Sequence, residues 1–285
     1  MKALTGVTLE EFELLIPEFD RIQLEHATSI KRKRAVGGGR KGILKNSTHK
    51  LFFILFYLKV YPTYDLAASI FDVDRSRVCR WVQIFLPILE TVLGRSCALP
   101  KRQINSMEEF LTCFKGVGDI FFDGVERPTQ RSKNHEKQRK HYSGKKKRHT
   151  RKNIVGTDEY KRVHYLSPTK GGKIHDFKQV KKTGILNHIP PDVSVWVDKG
   201  FAGIKDIVDE DQVMIPHKKP KGSELTDDQK TENKIISGIR ITVEHAISGI
   251  KRFGCATNIL RNRKGQDDQM MAICAGLWNF HLQNA

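Results

Sequence analysis

Two aspartates stand where their side chains could bind a metal ion. Asp123 ends the apolar run GVGDIFF, Asp198 ends the apolar run VSVWV, and a glycine follows each closely. In an α/β sheet, ligands gather at strand ends, and paired carboxylate oxygens suit Mg²⁺. Taken singly, each aspartate is also an ordinary turn former, because Asp-Gly is a common turn signal. As a pair, they are candidate metal ligands.

A third carboxylate, Glu244, lies in a predicted helix that begins behind the capping box Thr226 to Gln229. At about 100° per residue, Arg240 and Lys251 fall within roughly 40° of Glu244. A surface ion pair between Arg240 and Glu244 is the alternative, but this order along the helix is worth at most ~0.5 kcal/mol. The adjoining face is predicted to be buried, with Ile236, Ile239, Val243, Ile247 and Ile250.

The overall charge favours a nucleic-acid partner. The chain has 285 residues with 50 Lys and Arg against 32 Asp and Glu, a formal charge of +18. Such a molecule attracts polyanions at neutral pH. The eleven basic side chains between Arg131 and Lys152, against one acid, predict a DNA track that includes Lys145, Lys146, Lys147 and Arg148. The alternative for this run is a solvated, disordered loop.

Other classes of protein fit less well. The five cysteines form no CxxC pair and no zinc motif, and they are expected to be reduced thiols. The longest apolar stretch, Leu51 to Leu58, is far short of the ~20 residues that a membrane helix needs. The start of the chain carries acidic residues where a signal peptide would be basic and then apolar. We therefore expect a soluble cytoplasmic protein.

Residues 1–100 are predicted to be helical, with a capping box at Thr8 and Glu11 and a basic loop at 31–42. The segment around 63–82 has the pattern of a helix-turn-helix, with its turn at Asp72 to Asp74. The exposed cations of its second helix would contact DNA; they are Arg75, Arg77 and Arg80. An ordinary pair of core helices with surface arginines is the other interpretation.

From about residue 115 the pattern changes to short β-branched and aromatic runs, which predict strands. The runs are VGDIFF, KRHTRKNIVGTD, YKRVHYLSPT, VSVWV and QVMIP. The first three predict an antiparallel meander, and helix-like segments begin near His175 and Ala202. The predicted class is α/β, a mixed sheet with flanking helices behind an all-α region.

Several segments resemble the catalytic domain of DDE transposases from bacterial insertion sequences of the insertion-sequence-five type, which are related to Harbinger-type endonucleases. The segments are FFDGVERPTQR, KQRKHYSGKKKRHTRKN, YLSPTKGGKIHDF, VWVDKGF, IPHKKPKGSELT and RITVEHAISGIKRF. The spacing Arg240, three residues, Glu244, six residues, Lys251 resembles the signature around the family's catalytic glutamate. Ser237 stands where that signature often has tyrosine. The resemblance implies an RNase H-like domain over 101–285, behind a DNA-binding region over 1–100.

The resemblance also implies a function: metal-dependent cleavage of element ends and transfer of the cut strand into target DNA. Asp123, Asp198 and Glu244 would bind two Mg²⁺ ions, which Mn²⁺ can replace, while Arg240 and Lys251 would hold the DNA. The implied partners are the terminal inverted repeats, target DNA and a second copy of the chain, in a bacterial, nucleoid-associated setting. Asp176, in KIHDF, is a third metal ligand or a helix N-cap, and we favour the cap. A DNA-binding protein and a nuclease without strand transfer are the alternative functions.

Overall fold

The computed structural model of the chain describes residues 1–29, 42–220, 222–262 and 265–285. Residues 31–41 of the predicted basic loop lie outside this range. The chain divides into two compact units. Unit 1 comprises Met1–Leu99, Ile250–Asn258 and Lys264–Ala285, and unit 2 comprises Pro100–Gly249 and Ile259–Arg263.

The α-helices of the described residues are numbered along the chain. Those that begin in the first hundred residues are α1 Lys2–Thr5, α2 Leu9–Ser29, α3 Ser47–Val60, α4 Tyr64–Ile70 and α5 Arg75–Arg95. The later ones are α6 Met107–Cys113, α7 His135–His141, α8 Asp176–Lys181, α9 Asp227–Lys251, α10 Gly254–Thr257 and α11 Gln266–Gln283. No helix of the described residues is both long enough and apolar enough to cross a membrane.

Unit 1 is built around α3, whose apolar side chains point in every direction. A helix that is hydrophobic on all sides is stable only when it is surrounded, and Phe53 is fully buried. Its ring contacts Phe71, Trp81 and Phe85 edge to face, with centroids 5.1–6.2 Å apart. These contacts fix α3 against the α4–turn–α5 segment.

The predicted capping box of α2 is present, because Thr8 and Glu11 each accept a hydrogen bond from the other's backbone N–H. Unit 1 also contains the last helix of the chain. The Asn279 amide of α11 donates to the Ala98 carbonyl at 2.8 Å, and the Gln269 amide donates to Glu90 at 2.6 Å. Helix α11 thus completes the core of unit 1, although its sequence follows the predicted catalytic segments.

Unit 2 contains a mixed sheet in the strand order β2-β3-β1-β6-β7, with β4 and β5 also paired to β3. The strands are β1 Asp119–Pro128, β2 Tyr142–Ser143, β3 Arg148–Thr157, β4 Val163–Leu166, β5 Lys170–Gly171, β6 Ser194–Val197 and β7 Val213–Met214. Strands β1, β3 and β4 form the predicted antiparallel meander, whereas β6 is parallel to both β1 and β7. The predicted strands and the mixed α/β class are confirmed.

One face of this sheet supports the core of unit 2. Ile120 and Phe122 of β1, Ile154 of β3, and Val195 and Val197 of β6 are fully buried there. Their alternation along each strand follows from the period of two, which sends successive side chains to opposite faces. Residues at intervening positions, such as Asp123, therefore face the other side of the sheet.

The structure differs from the predicted helix near Ala202. Residues 199–212 form 3-10 turns at Lys199–Phe201, Ile204–Asp206 and Glu210–Gln212 instead. Gly203 adopts a left-handed backbone with φ 93°, which a continuous α-helix does not allow. The apolar side chains of this segment still reach the core, since Phe201 and Ile204 are buried.

Helix α9 has the predicted capping box, in which Thr226 and Gln229 each accept from the other's backbone N–H at 3.2 Å. Its predicted buried face is only partly buried: Val243 and Ile250 are inaccessible, whereas Ile239 is 37 % exposed. Periodicity shows which side chains share a face of a helix, but not how far along its length a neighbour covers that face.

Candidate active site

The two predicted aspartates are side by side because of strand pairing. Strands β1 and β6 run parallel, and their register aligns Phe122 with Val197. Asp123 and Asp198 each come one position later. Asp123 Oδ1 accepts a hydrogen bond from the backbone N–H of the next residue at 2.6 Å, and Asp198 Oδ1 accepts from the Gly200 N–H at 2.8 Å. Each carboxylate is thus held by its own local backbone.

The Asp123 carboxyl group has a pKa raised from 3.8 to about 6. Burial is the largest cause, and the negative charges of Asp198 and Asp176 add to it, while the Gly124 N–H and Arg240 act in the opposite direction. Repulsion between neighbouring carboxylates raises a pKa in this way wherever a cation does not neutralise them. The local field therefore favours a positive charge beside Asp123.

Two predicted DNA-binding cations lie at this pair of aspartates. Arg240 Nη2 is 3.8 Å from Asp123 Oδ2, and the arginine side chain is only 12 % exposed. Lys145 Nζ is 3.7 Å from Asp198 Oδ2, and it is largely exposed. The structure thus brings together four of the predicted site residues, each aspartate with one cation.

Asp176 is a further carboxylate of this region, and the prediction that it caps a helix was wrong. The N-cap of α8 is His175, and Asp176 is the first helical residue. The Asp176 carboxylate instead accepts a hydrogen bond from Lys152 Nζ at 2.7 Å, and the same ammonium lies 3.1 Å from Glu126. All three side chains are less than a tenth exposed, and the pKa of Lys152 is raised because its two acidic partners outweigh its burial.

Two glycines let Asp176 lie against the backbone next to the aspartate pair. A Cβ atom at Gly124 would be 2.8 Å from Asp176 Oδ1. A Cβ atom at Gly200 would be 2.8 Å from Asp198 Oδ1 and 3.4 Å from Asp176 Oδ2. The glycines that follow the two aspartates indicated a turn in the sequence. In the structure they also leave space for the Asp176 carboxylate. A side chain at Gly124 would require the Asp176 carboxylate to shift.

The third predicted ligand, Glu244, has an exposed side chain on α9. Across the described ranges, no group of three His, Cys, Asp or Glu side chains is arranged to hold a metal ion. The structure therefore brings Asp123 and Asp198 together without completing the predicted triad. A hydrogen-bonded ladder fixes the two aspartates, whereas the place of Glu244 depends on helix packing. Its role in metal binding stays a prediction.

The basic run from Arg131 to Lys152 is structured in this chain, which disagrees with the disordered alternative. It forms α7, strand β2 and the turn that leads into β3. The side chains of this turn are exposed, and they include Lys145, Lys146, Lys147 and Arg148. Lys251, the last residue of α9, is exposed as well. Their contacts with DNA stay predictions.

The predicted helix-turn-helix is formed by α4, a tight turn and α5. Asp72 has a left-handed backbone with φ 48°, and the Asp74 side chain caps α5 by accepting from the Ser76 N–H at 2.8 Å. The predicted DNA-contacting arginines are all exposed; they are Arg75, Arg77 and Arg80. The second helix thus presents its basic side chains to solvent.

Comparison with known proteins identifies the family. Residues 122–279 match the family described as DDE superfamily endonuclease, and residues 44–95 match the helix-turn-helix of DDE superfamily endonuclease. The chain belongs to the DDE superfamily of endonucleases. Over 282 residues it is 29 % identical to a probable transposase for insertion sequence element IS702 from Microchaete diplosiphon, covering 99 % of this chain and 94 % of that protein. No solved structure matches it.

These similarities confirm the predicted DDE transposase family, the helix-turn-helix and the RNase H-like class of fold. The helix-turn-helix of this DDE endonuclease indicates binding to DNA. Endonucleases of the superfamily generally use divalent metal ions. The match begins at Phe122, directly before the first aspartate of the pair.

Proposed function

We propose that this DDE superfamily member is the transposase of an insertion sequence, which cuts DNA at the ends of the element and joins the cut strand to target DNA. The observation that carries the proposal is the parallel register of β1 and β6, which sets Asp123 beside Asp198. Cations adjoin both carboxylates. The similarity to an insertion-sequence transposase over nearly the whole chain supports the same function.

The donor set fits divalent metal ions. Mg²⁺ and Mn²⁺ prefer carboxylate oxygens as ligands. At Asp123 a bound cation would also relieve the repulsion from the neighbouring carboxylates. Asp123 and Asp198 would hold the ions, and Glu244 would complete the set. When bound, two such ions activate the attacking oxygen and stabilise the leaving oxygen of a phosphodiester.

The side chains around the pair bind and orient the DNA. Arg240, which lies 3.8 Å from Asp123, would bind a phosphate oxygen of DNA at the site. Lys145 would do the same beside Asp198, since its side chain is exposed and only loosely paired. The basic run that contains Lys145 attracts further phosphates without reading sequence. Arginines of α5 supply the contacts of the helix-turn-helix.

Two reactions use the same site in turn. Hydrolysis at the element end breaks a phosphodiester bond and frees a 3′-hydroxyl. That hydroxyl then attacks a phosphodiester of the target, and the target's own 3′ oxygen leaves, so that one bond is exchanged for another. Because the same groups serve both steps, loss of one ligand removes both activities.

The test is cleavage and joining of a labelled duplex that carries the element's own end, with Mg²⁺ or Mn²⁺. We expect the wild type to cut and join, and Asp123→Asn and Glu244→Gln to bind the duplex without doing either. Asp228→Asn is the matched control, since it removes an exposed carboxylate from the first turn of α9. It should retain both activities.

Each alternative has its own outcome. Cleavage without joining would identify a metal-dependent nuclease, and binding without either reaction would identify a DNA-binding protein. If Glu244→Gln behaves like the wild type while Asp123→Asn is inactive, the aspartate pair stands and Glu244 is not a ligand.

We also propose that two copies of the chain act together on DNA, because transposition brings two element ends into one complex. Light scattering of the protein with and without an end-bearing duplex measures this directly. Two chains on DNA are expected, and a single chain throughout active joining would refute it.

A further inference from the structure

A cavity of about 1130 Å³ opens beside the aspartate pair, within unit 2. Asp198 and Asp176 line it, and so do Tyr142 and His149. Pockets of roughly 300–1000 Å³ enclose drug-sized ligands, so this volume suits one or two nucleotides.

Cations line the walls of this cavity. They come from three separate segments of the chain and include Arg131, Arg139, Lys145, Lys173 and Lys199. Within the described part of the chain, no ion pair is formed by Arg139, Lys173 or Lys199, and all three are exposed. Unpaired cations around a concave surface attract an anionic ligand, and several of them together suit successive phosphates.

An aromatic side chain lines the same cavity. Tyr142 is 44 % exposed, although it is large and mostly apolar. It lies at the start of β2, paired with His149 of β3, and the two rings meet edge to face with centroids 5.7 Å apart. The strand ladder and this ring contact hold the tyrosine in place. An accessible, fixed ring beside cations is what proteins use to stack a nucleic-acid base.

We propose that this cavity binds unpaired nucleotides of the DNA strand at the cleavage site, with a base against the Tyr142 ring and backbone phosphates on the surrounding cations. The inference rests on the proposed function, because it takes DNA as the substrate. A base in an intact duplex stacks on its neighbours and cannot offer its face to a side chain. The DNA must therefore open locally next to the aspartates for this contact to form.

Binding without catalysis tests this proposal. In EDTA, fluorescence anisotropy compares a blunt duplex with the same duplex carrying a short single-stranded 3′ extension. We expect the wild type to bind the extended duplex about 10-fold more tightly, since stacking of a base on an aromatic ring is worth about 1–3 kcal/mol. Tyr142→Ala should lose most of this preference and keep only the part that the cations around the cavity provide, whereas Tyr142→Phe should keep the preference.

Tyr160→Ala is the matched control. Tyr160 belongs to the same unit and is 74 % exposed, but it does not line the cavity. Its loss should leave the preference for the extended duplex unchanged. Equal binding of both duplexes by the wild type, or a preserved preference in Tyr142→Ala, would overturn the proposal.

The outcome is separate from the test of the proposed function. Asp123→Asn should retain the preference for unpaired nucleotides while it loses cleavage. If the wild type cuts and joins DNA but shows no such preference, the proposed function stands and the proposal that the cavity binds unpaired nucleotides is refuted. A preference without cutting would support the cavity alone.

Discussion

The Asp123 carboxyl group lies in a field of burial and negative charge that favours binding of a cation. Burial, Asp198 and Asp176 all raise its pKa, to about 6, and Arg240 offsets them only in part. At neutral pH the Asp123 carboxylate is therefore ionised in an environment that disfavours its negative charge. A bound divalent cation would reverse that balance, which is the arrangement expected of a metal ligand.

This environment predicts how stability depends on pH without metal. The folded pKa of Asp123 lies above the ordinary value of 3.8, so its charged form destabilises the fold. The destabilisation is nearly absent at about pH 3, grows as the pH rises and is complete above about pH 7. Asp123→Asn removes it, so the free energy of unfolding of the variant should exceed that of the wild type by up to about 2–3 kcal/mol at pH 7 and by almost nothing at about pH 3. Urea unfolding in EDTA measures this difference.

The exposed Asp192 of the same unit provides the control. Asp192→Asn should follow the wild-type stability at every pH. If Asp123→Asn is less stable than the wild type at pH 7, or if its advantage is the same at about pH 3, the described field around Asp123 is wrong.

At the scale of elements, strand β1 presents a candidate metal ligand on one face and packs against α8 on the other. Asp123 faces one side, whereas Gly124 leaves space on the other for the Asp176 carboxylate at the start of α8. Lys152 of β3 forms an ion pair with that carboxylate and a second ion pair with Glu126 of β1. The buried ammonium of Lys152 joins two strands and a helix next to the aspartate pair.

We predict that Gly124→Ala disturbs this junction. Its methyl group would lie 2.8 Å from Asp176 Oδ1, and Lys152 keeps that carboxylate from moving away. Overpacking of this kind costs about 1–3 kcal/mol, and we expect cleavage to fall more steeply than stability as β1 shifts. Denaturant unfolding and a cleavage assay measure the two effects.

Gly118→Ala is the corresponding control, because nothing lies within 4 Å of a Cβ atom there. It should change the free energy of unfolding by less than about 1 kcal/mol. Equal effects of the two substitutions would mean that close packing against Asp176 is not what the glycine provides.

At the scale of the whole molecule, the formal charge of +18 gives a general attraction to DNA. A local track differs from this general field, because each phosphate contact releases counterions and steepens the dependence of binding on salt. The exposed turn between β2 and β3 is the candidate for such a track. Removing charge there should affect binding more than removing equal charge elsewhere.

We therefore predict that Lys146→Gln/Lys147→Gln lowers the slope of log K against log salt concentration by about 2 in magnitude. The control Lys115→Gln/Lys182→Gln removes the same charge from exposed positions outside that turn, and it should change the slope by much less. Titrations of a blunt duplex at several salt concentrations give both slopes. Equal changes would show that only the net charge matters.

The sequence by itself determined the features that depend on neighbours along the chain. Both capping boxes, the turn at Asp72 to Asp74, the exposed arginines of α5 and the main strands follow from local pattern. The aspartates at the strand ends were also visible, because an apolar run that stops at Asp and Gly is a local signal.

Only the tertiary structure decided what depends on distant segments. The parallel register of β1 and β6 sets Asp123 beside Asp198, residues far apart in sequence. Burial of Asp176 against Gly124, with Lys152 as its partner, required three segments to meet. Sequence periodicity shows which face of a helix is apolar, but the element that covers it is set by packing. For this reason neither the place of α11 in unit 1 nor the exposure of Glu244 could be predicted from the sequence.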